Sequence, residues 1–345
     1  MTDTSVVTNP VGQLRVYACG GTGINIAKKI SDYPIDGFAV VNRCFIDTSR
    51  TNMDEYTPAD LAFVVPRSSD ASHRSEGSGK NRSTNEQAIY DSIPAIMSKF
   101  PPQDVNVVVF SGSGGTGSVA GPFIMDYLLE TGANAIAVMI GTEESARAAS
   151  NTFGTLKTLE GFVETHQRPV VVNYHYQKRT DTRESVDDMA LAAIASLAVL
   201  VSRNNDELDL EDIHNLLDYT EVTDVAEQLT LMEIYADVDQ LEAEFGGKPV
   251  IGLGAVLGNK NKPLPNLEYL YDAIGYYNPP HADNARDVFF VVTTTGMDDI
   301  LATMLANETK AEAMLHAQAP SARFTTGGAN KRTGRTKAST TGLLR

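Results

Sequence analysis

The run Ser111-Gly112-Ser113-Gly114-Gly115-Thr116-Gly117-Ser118 is the strongest chemical signal in the chain, standing between the apolar run Val105–Phe110 and a helical pattern from Val119. Glycines let backbone N–H groups close on an anion, and the N-terminus of the following helix adds partial positive charge. The Thr and Ser hydroxyls add further donors. A Gly/Ser spacer has no reason to separate a buried strand from a helix, so these residues predict a phosphate-binding loop. A second glycine loop, Gly20-Gly21-Thr22-Gly23-Ile24-Asn25, follows the first apolar strand in the same manner. Two common nucleotide patterns fail. The dinucleotide fingerprint G-x-G-x-x-G is absent, and the second strand runs into Asn42 where a ribose-binding acid would be expected. Gly79-Lys80 resembles the end of a P-loop, but Asn81 follows it and Arg74 occupies the position of the first glycine.

Two acidic stretches could also do chemistry. Asp187-Asp188 opens the long apolar segment Ser185–Arg203, and Glu207-Leu208-Asp209-Leu210-Glu211-Asp212 follows its end. An ionised carboxylate only accepts hydrogen bonds, so an acid facing a purine selects guanine, whose N1–H and N2–H are donors, over adenine. Both stretches are equally what helix starts carry, acids that complement the dipole and cap the first turn. On residue types alone the two readings stay open.

The elements that must position these residues alternate. Strands at Leu14–Cys19, Phe38–Val41, Leu61–Val65, Val105–Phe110, Ala135–Ile140 and Val170–Tyr174 are separated by helices near Ile24–Ser31, Thr84–Phe100, Val119–Glu130 and Asn151–His166. Such a pattern predicts an α/β fold with a doubly wound, mostly parallel sheet that binds ligands beyond its strands' carboxyl ends. The segment 185–204 is apolar on nearly every face, as a long central helix buried between two domains would be. Strands at Thr230–Tyr235, Val250–Val256 and Val288–Thr294 and a terminal helix near Asp298–Ala317 predict a smaller mixed-sheet α/β second domain. The expected organisation is a flexible N-terminus (1–13), a nucleotide-binding domain (14–184), the central helix (185–204), a second domain (205–318) and a tail (319–345). Ser68–Asn81, rich in Ser, Gly and charge, reads as a mobile loop.

At 345 residues and 42% hydrophobic content the chain is long enough for two moderate cores. Its longest apolar stretch, Met189–Val201, is well short of the roughly 20 residues that span a bilayer, so no membrane span is expected. Met1–Pro10 lacks the pattern of a secretory signal, which makes the cytoplasm the expected compartment. Cys19 and Cys44 lie in apolar runs and read as reduced core thiols. A net charge of −16 argues against direct nucleic-acid binding by the body of the protein. That charge divides unevenly, into +6 for Pro320–Arg345, with six basic residues and no acid, and −22 for everything before it. The tail's Gly, Thr and Ser content cannot supply a packed core, so it is expected to stay mobile until it meets a partner.

With both glycine loops and both acidic stretches in place, the chain resembles the tubulin/FtsZ superfamily of GTPases. The signature G-G-G-T-G-[ST]-G matches Ser113–Val119 at all but Ser113 and Val119. The resemblance implies that Gly20, Gly21, Thr22, Gly23 and Asn25 form the first nucleotide loop, with Asn25 on the guanine, and that Gly112, Ser113, Gly114, Gly115, Thr116, Gly117 and Ser118 hold phosphates. It places Gly79, Lys80 and Asn81 at the γ-phosphate, Glu143 and Arg147 at the ribose and Asp188 on the guanine, and Asn42 is counted with the nucleotide site as the end of the second strand. Glu207, Asp209 and Asp212 resemble the N-x-D-x-x-D catalytic loop that enters the nucleotide site of the next subunit, with Glu207 in place of Asn. The implied cofactors are GTP or GDP with Mg²⁺, whose ligands are not evident in the sequence, and the implied partner is another copy of the chain in a head-to-tail filament.

The phrases V-V-F-S-G-S-G-G-T-G-S-V-A-G-P, N-T-F-G-T-L-K-T-L-E and S-R-N-N-D-E-L-D-L are most similar to the PhuZ-type tubulins of large nucleus-forming bacteriophages. That implies a filament positioning the phage DNA compartment and capsids in an infected bacterium. The basic tail departs from the acidic tail this type resembles. Alternatives are an FtsZ-type division protein, a plasmid-segregating tubulin, or, from another class, a nonpolymerising nucleotide-binding enzyme.

Overall fold

Alternation along the apolar strands divides their side chains between two helical layers. In the computed structural model, which describes residues 11–31, 38–53, 57–66, 77–277 and 286–317, the strands are β1 (Gln13–Cys19), β2 (Val40–Asp47), β3 (Ala62–Val64), β4 (Val105–Ser111), β5 (Ala135–Thr142), β6 (Val170–Gln177), β7 (Asn205–Asp206), β8 (Leu229–Tyr235), β9 (Val250–Leu257), β10 (Tyr269–Tyr277) and β11 (Val288–Thr293). The helices are α1 (Gly20–Ala27), α2 (Glu86–Lys99), α3 (Gly117–Glu130), α4 (Ala146–His166), α5 (Arg183–Leu200), α6 (Leu210–Leu217), α7 (Val238–Phe245) and α8 (Met297–Ala317). Side chains two apart share a face, so Val16, Val107, Val109, Ile136, Val138 and Ile140 pack with α1 and α5. Tyr17, Val108, Phe110 and Met139 take the other face and pack with α2, α3 and α4.

The strands form one sheet in the order β3-β2-β1-β4-β5-β6-β8-β11-β9-β10-β7. Its first six strands are parallel, and the order reverses between β1 and β4, which opens a crevice beyond their carboxyl ends. The mixed sheet of the second half joins the parallel one through β8, which pairs in parallel with β6 at Val170–Val172. Beyond it β11 runs antiparallel to both β8 and β9.

Helix α5 differs from its expected all-round burial. Val186, Ala190, Ala193, Ile194 and Leu197 are buried, but Asp188, Met189, Ala192 and Ala195 form an exposed stripe. Cys19 and Cys44 are buried free thiols, and burial pushes the Cys44 thiol up to about 12, leaving it unreactive. The tail, 319–345, lies outside the described residues, as do 68–76 of the loop read as mobile. The remainder of that loop, 77–81, is packed against the phosphate loop through Ser78 and Thr116.

Candidate functional site

The two glycine loops meet at the crevice between β1 and β4. Gly20 has φ +69° and sits so close to Gly117 that a Cβ there would lie 2.8 Å from the Gly117 nitrogen. A Cβ on Gly117 would in turn lie 2.8 Å from the Cys19 carbonyl oxygen. Only glycine at both positions lets the loops touch. Between them is a cavity of about 180 Å³ lined by Gly20, Gly21, Thr22, Gly114, Gly115, Thr116 and Gly117. Helices α1 and α3 both begin at this cavity, so their free N–H groups converge on it.

The other loop residues support the cavity from behind. Gly23 packs on the Val109 carbonyl and Gly112 on Met139. Ser113 Oγ pairs with Ser111 Oγ at 2.8 Å, and Ser118 Oγ donates to the Gly114 carbonyl at 2.6 Å, so these hydroxyls help hold the loop's shape. Thr116 Oγ1 lies 2.8 Å from both Thr48 Oγ1 and Ser78 Oγ, tying the phosphate loop to the segments after β2 and before α2. Gly79 and Lys80 both have positive φ, and the Lys80 carbonyl accepts from Arg147 Nε at 2.8 Å and Asn151 Nδ2 at 3.1 Å. Asn151 also donates to the Ser113 carbonyl. Asn81 closes the turn through its N–H to the Ser78 carbonyl. Gly77 and Ser78 line the cavity itself.

Three placements correct the sequence reading. Asn42 is not the end of β2, because the strand continues through Cys44, Phe45 and Ile46 to Asp47. The polar pair Asn42-Arg43 is accommodated inside the strand: Arg43 donates to the Ala27 and Ile30 carbonyls at the end of α1, and Asn42 donates to Gln103 Oε1 near the strands' amino ends. Asn42 therefore lies away from the cavity. Asp47, which the sequence reading missed, is 3% exposed and lines it, accepting from Thr48 N at 2.7 Å and Asn52 Nδ2 at 3.0 Å. The clue was the apolar run past Arg43, which ends in an acid. Finally, Glu143 turns away from the crevice to line a cleft with Arg179, Asn307 and Lys310 beside α8. Its neighbour Glu144 pairs with Arg183 at 2.9 Å, which holds its carboxyl below the usual range.

Asn25 is exposed on α1, and Asp188 is exposed at the start of α5, paired with Lys29 at 2.6 Å. Asp187 is more enclosed, and burial raises its carboxyl.

The acidic loop occupies the opposite end of the sheet. Helix α5 has 18 residues, a rise of roughly 27 Å, and its last turn meets the strands' amino ends through Ala39 N to Ala198 O and Gly12 N to Ser202 O. Arg203 and Glu207 there have φ of 57° and 75°, in the left-handed region that costs non-glycine residues energy. Glu207 is exposed and paired with Lys260. Asp209 caps α6, accepting from the N–H groups of Glu211 and Asp212, while Asp212 accepts from Asp209 N at 2.9 Å. This capping box satisfies the helix start, and Tyr271 Oη donates to Asp212 Oδ1 at 3.4 Å.

Among the described residues no group of three or more His, Cys, Asp or Glu side chains is placed to hold a metal. One carboxylate, Asp47, in a cavity where two helices begin fits Mg²⁺, which binds mainly through nucleotide phosphates and one or two acids.

Glycine loops at the switch point of a parallel sheet, joined by one long helix to an acidic turn at the far end, define a tubulin/FtsZ-type architecture. An FtsZ dimer from M. jannaschii has the same fold, with a TM-score of 0.59 over 83% of this chain and 89% of its own at 16% identity. More particularly, the chain is similar to phage tubulins. A phage tubulin-like protein of Pseudomonas phage phiKZ is 28% identical over 291 residues, 83% of this chain and 86% of that protein. The protofilament of TubZ from bacteriophage PhiKZ superimposes with a TM-score of 0.81 at 26% identity, covering 92% of this chain and 96% of that one. The phage tubulin PhuZ with GDP gives 0.78 at 25% identity, covering 93% and 95%. No family model matches the chain. No helix among the described residues is long and apolar enough to cross a membrane.

Proposed function

We propose that this protein is a GTPase that polymerises head to tail, with each active site completed by the next subunit, and that its filaments position the phage DNA compartment and capsids in an infected bacterium. The observation that carries the reading is the separation of the two half-sites. The cavity lies beyond the carboxyl ends of β1 and β4, and Asp209 and Asp212 lie at the sheet's amino end, with a helix of 18 residues between them. A general acid-base group must come within hydrogen-bond reach of the reacting water, so one chain's acids cannot serve its own cavity. A second copy stacked in the same orientation brings them together.

In that contact the backbone N–H groups of both glycine loops bind the phosphates, and Asp209 and Asp212 orient the water attacking the γ-phosphate. Asp47 is the residue that would hold Mg²⁺, whose charge would be set against that of the phosphates. GTP turnover per subunit should show a threshold in protein concentration and rise more than linearly above it, coincident with light scattering. Constant turnover per subunit down to dilute solution would sink the shared site.

A further inference from the structure

Helix α4 carries Arg147, Asn151, Gly154 and Thr158 at spacings of four, three and four, which puts them on one face, and all four meet the segment before α2. The Lys80 carbonyl accepts from both Arg147 Nε and Asn151 Nδ2, and the same Asn151 amide donates to the Ser113 carbonyl at 3.0 Å and the Gly114 carbonyl at 3.3 Å. Asn151 therefore bridges segment 77–81 to the phosphate loop. Arg82 closes the contact from the opposite side, donating to Thr158 Oγ1 at 3.3 Å and lying so close over Gly154 that a Cβ there would be 2.5 Å from Arg82 Nη1. Its Nε is buried without a partner among the described residues, so packing on the glycine, more than a full set of hydrogen bonds, holds it there. What this face of α4 holds is a strained turn. Gly79 and Lys80 have φ of 55° and 58°, and that left-handed backbone costs Lys80 energy where it costs glycine none.

We propose that Asn151 is a positioning residue for the nucleotide's terminal phosphate, fixing segment 77–81 against the phosphate loop and so setting the preference for GTP over GDP. The proposal rests on the GTP reading above. Helices α1 and α3 converge on the cavity, and Gly77 and Ser78 supply a further wall, the one a third phosphate meets. That wall is fastened to the phosphate loop at Ser78 through Thr116 and at Lys80 through Asn151. A donor adds most to binding when it is already held where the anion will lie, and a strained turn keeps its position only while its surroundings fix it. The phosphate loop has other supports from α4, including Thr155 Oγ1 donating to the Gly112 carbonyl at 3.0 Å. Loosening segment 77–81 therefore costs contacts to the terminal phosphate, which GDP lacks, and few to the inner two. The amide's direction is fixed as well. It faces three carbonyl oxygens, so only a donor fits there, and a carboxylate of the same size is repelled.

The test uses dilute full-length protein and dissociation constants for GDP and for β,γ-methylene-GTP, which keeps the terminal phosphate but is not hydrolysed. Asn151→Asp, which preserves size and replaces the donor with acceptors, should weaken binding of β,γ-methylene-GTP about ten-fold, the order for losing one or two hydrogen bonds, and that of GDP by less than about two-fold. Arg82→Met should shift the same ratio in the same direction by a few-fold. Because both residues hold one turn, the double variant should lose less than the product of the two single losses. Equal weakening of both nucleotides would make Asn151 a brace for the phosphate loop as a whole, and an unchanged ratio in both single variants would leave it no part in discrimination. Either result overturns the proposal and leaves the GTP reading standing. Wild-type protein that binds neither guanine nucleotide would remove that reading, and the proposal with it.

Discussion

The two ends of the molecule solve different problems with similarly short motifs. At the cavity end the polar groups are interlocked: buried Thr116 joins Thr48 and Ser78, half-buried Asn151 joins the Lys80 and Ser113 carbonyls, and Gly20 touches Gly117. At the acidic end Glu207 and Asp209 are exposed, and the hydrogen bonds of Asp209 and Asp212 mostly cap their own helix. The first end is held in shape by these contacts. The second presents its acids on the surface. The contrast teaches that a phosphate cradle must be built within one chain, because displaced backbone N–H groups cannot be supplied from outside, whereas acids can be delivered from a neighbour's surface.

The largest effect should come from removing an acid without disturbing its structural duty. Asp209→Asn keeps a good helix cap, since Asn and Asp cap about equally well, but removes the charge. We expect turnover to fall about 10²-fold, the order for losing a positioned acid-base group, with GTP affinity unchanged and filaments longer-lived. Asp209→Ala would add a cap loss of about 1 kcal/mol and confuse the two effects. Normal hydrolysis by the Asn variant would reduce the acidic end to a helix cap.

A smaller effect is expected inside the cavity. Asp47→Asn removes the charge that would meet Mg²⁺ and turns an amide N–H₂ toward Thr48 N or Asn52 Nδ2, both donors. The tightening of GTP binding by Mg²⁺ should fall by about ten-fold, the lower end for disturbing a metal's surroundings, while metal-free GTP binding changes less. Equal loss with and without Mg²⁺ would make Asp47 a brace for the loop after β2.

What was legible in the sequence follows the same division. Glycine loops between a buried strand and a helix are local, and their spacing survives translation into structure almost intact, although α1 and α3 begin inside the loops at Gly20 and Gly117. The parallel sheet was legible from continuous apolar runs. Asp47 was hidden because Asn42 and Arg43 look like a strand end, and only the free carbonyls at the end of α1 explain why an arginine stays in β2. That Glu143 lies in a cleft beside α8 depends on side-chain direction, which no spacing reveals. Strand β10 was missed because Asp272 and Gly275 interrupt it, and its ladder with β9 is a distant pairing. The ladder between β6 and β8, which joins the mixed half of the sheet to the parallel half, is likewise a long-range contact that no local pattern reveals.

The smallest effect concerns the contact between the two ends once copies stack. Pro320–Arg345 carries six positive charges and no acid on a chain whose remainder is −22, a distribution read from the sequence alone. Such a segment should be drawn to the acidic surface of an adjacent subunit, which would add contacts that an isolated subunit cannot make. Each exposed pair contributes only about 0–1 kcal/mol, and screening limits its reach to roughly 8 Å at physiological salt. Repetition at every contact along a filament makes the sum measurable as a critical concentration, where a single binding event would not reveal it. Removing Ser321–Arg345 should therefore raise the critical concentration by a few-fold, the equivalent of about 1 kcal/mol per contact. Added salt should bring the intact protein toward the truncated one, while GTP binding by dilute subunits stays the same. Identical critical concentrations for intact and truncated protein across a salt series would assign the tail to cargo or to no partner, and leave the cavity and the acidic loop as the parts of the contact that matter.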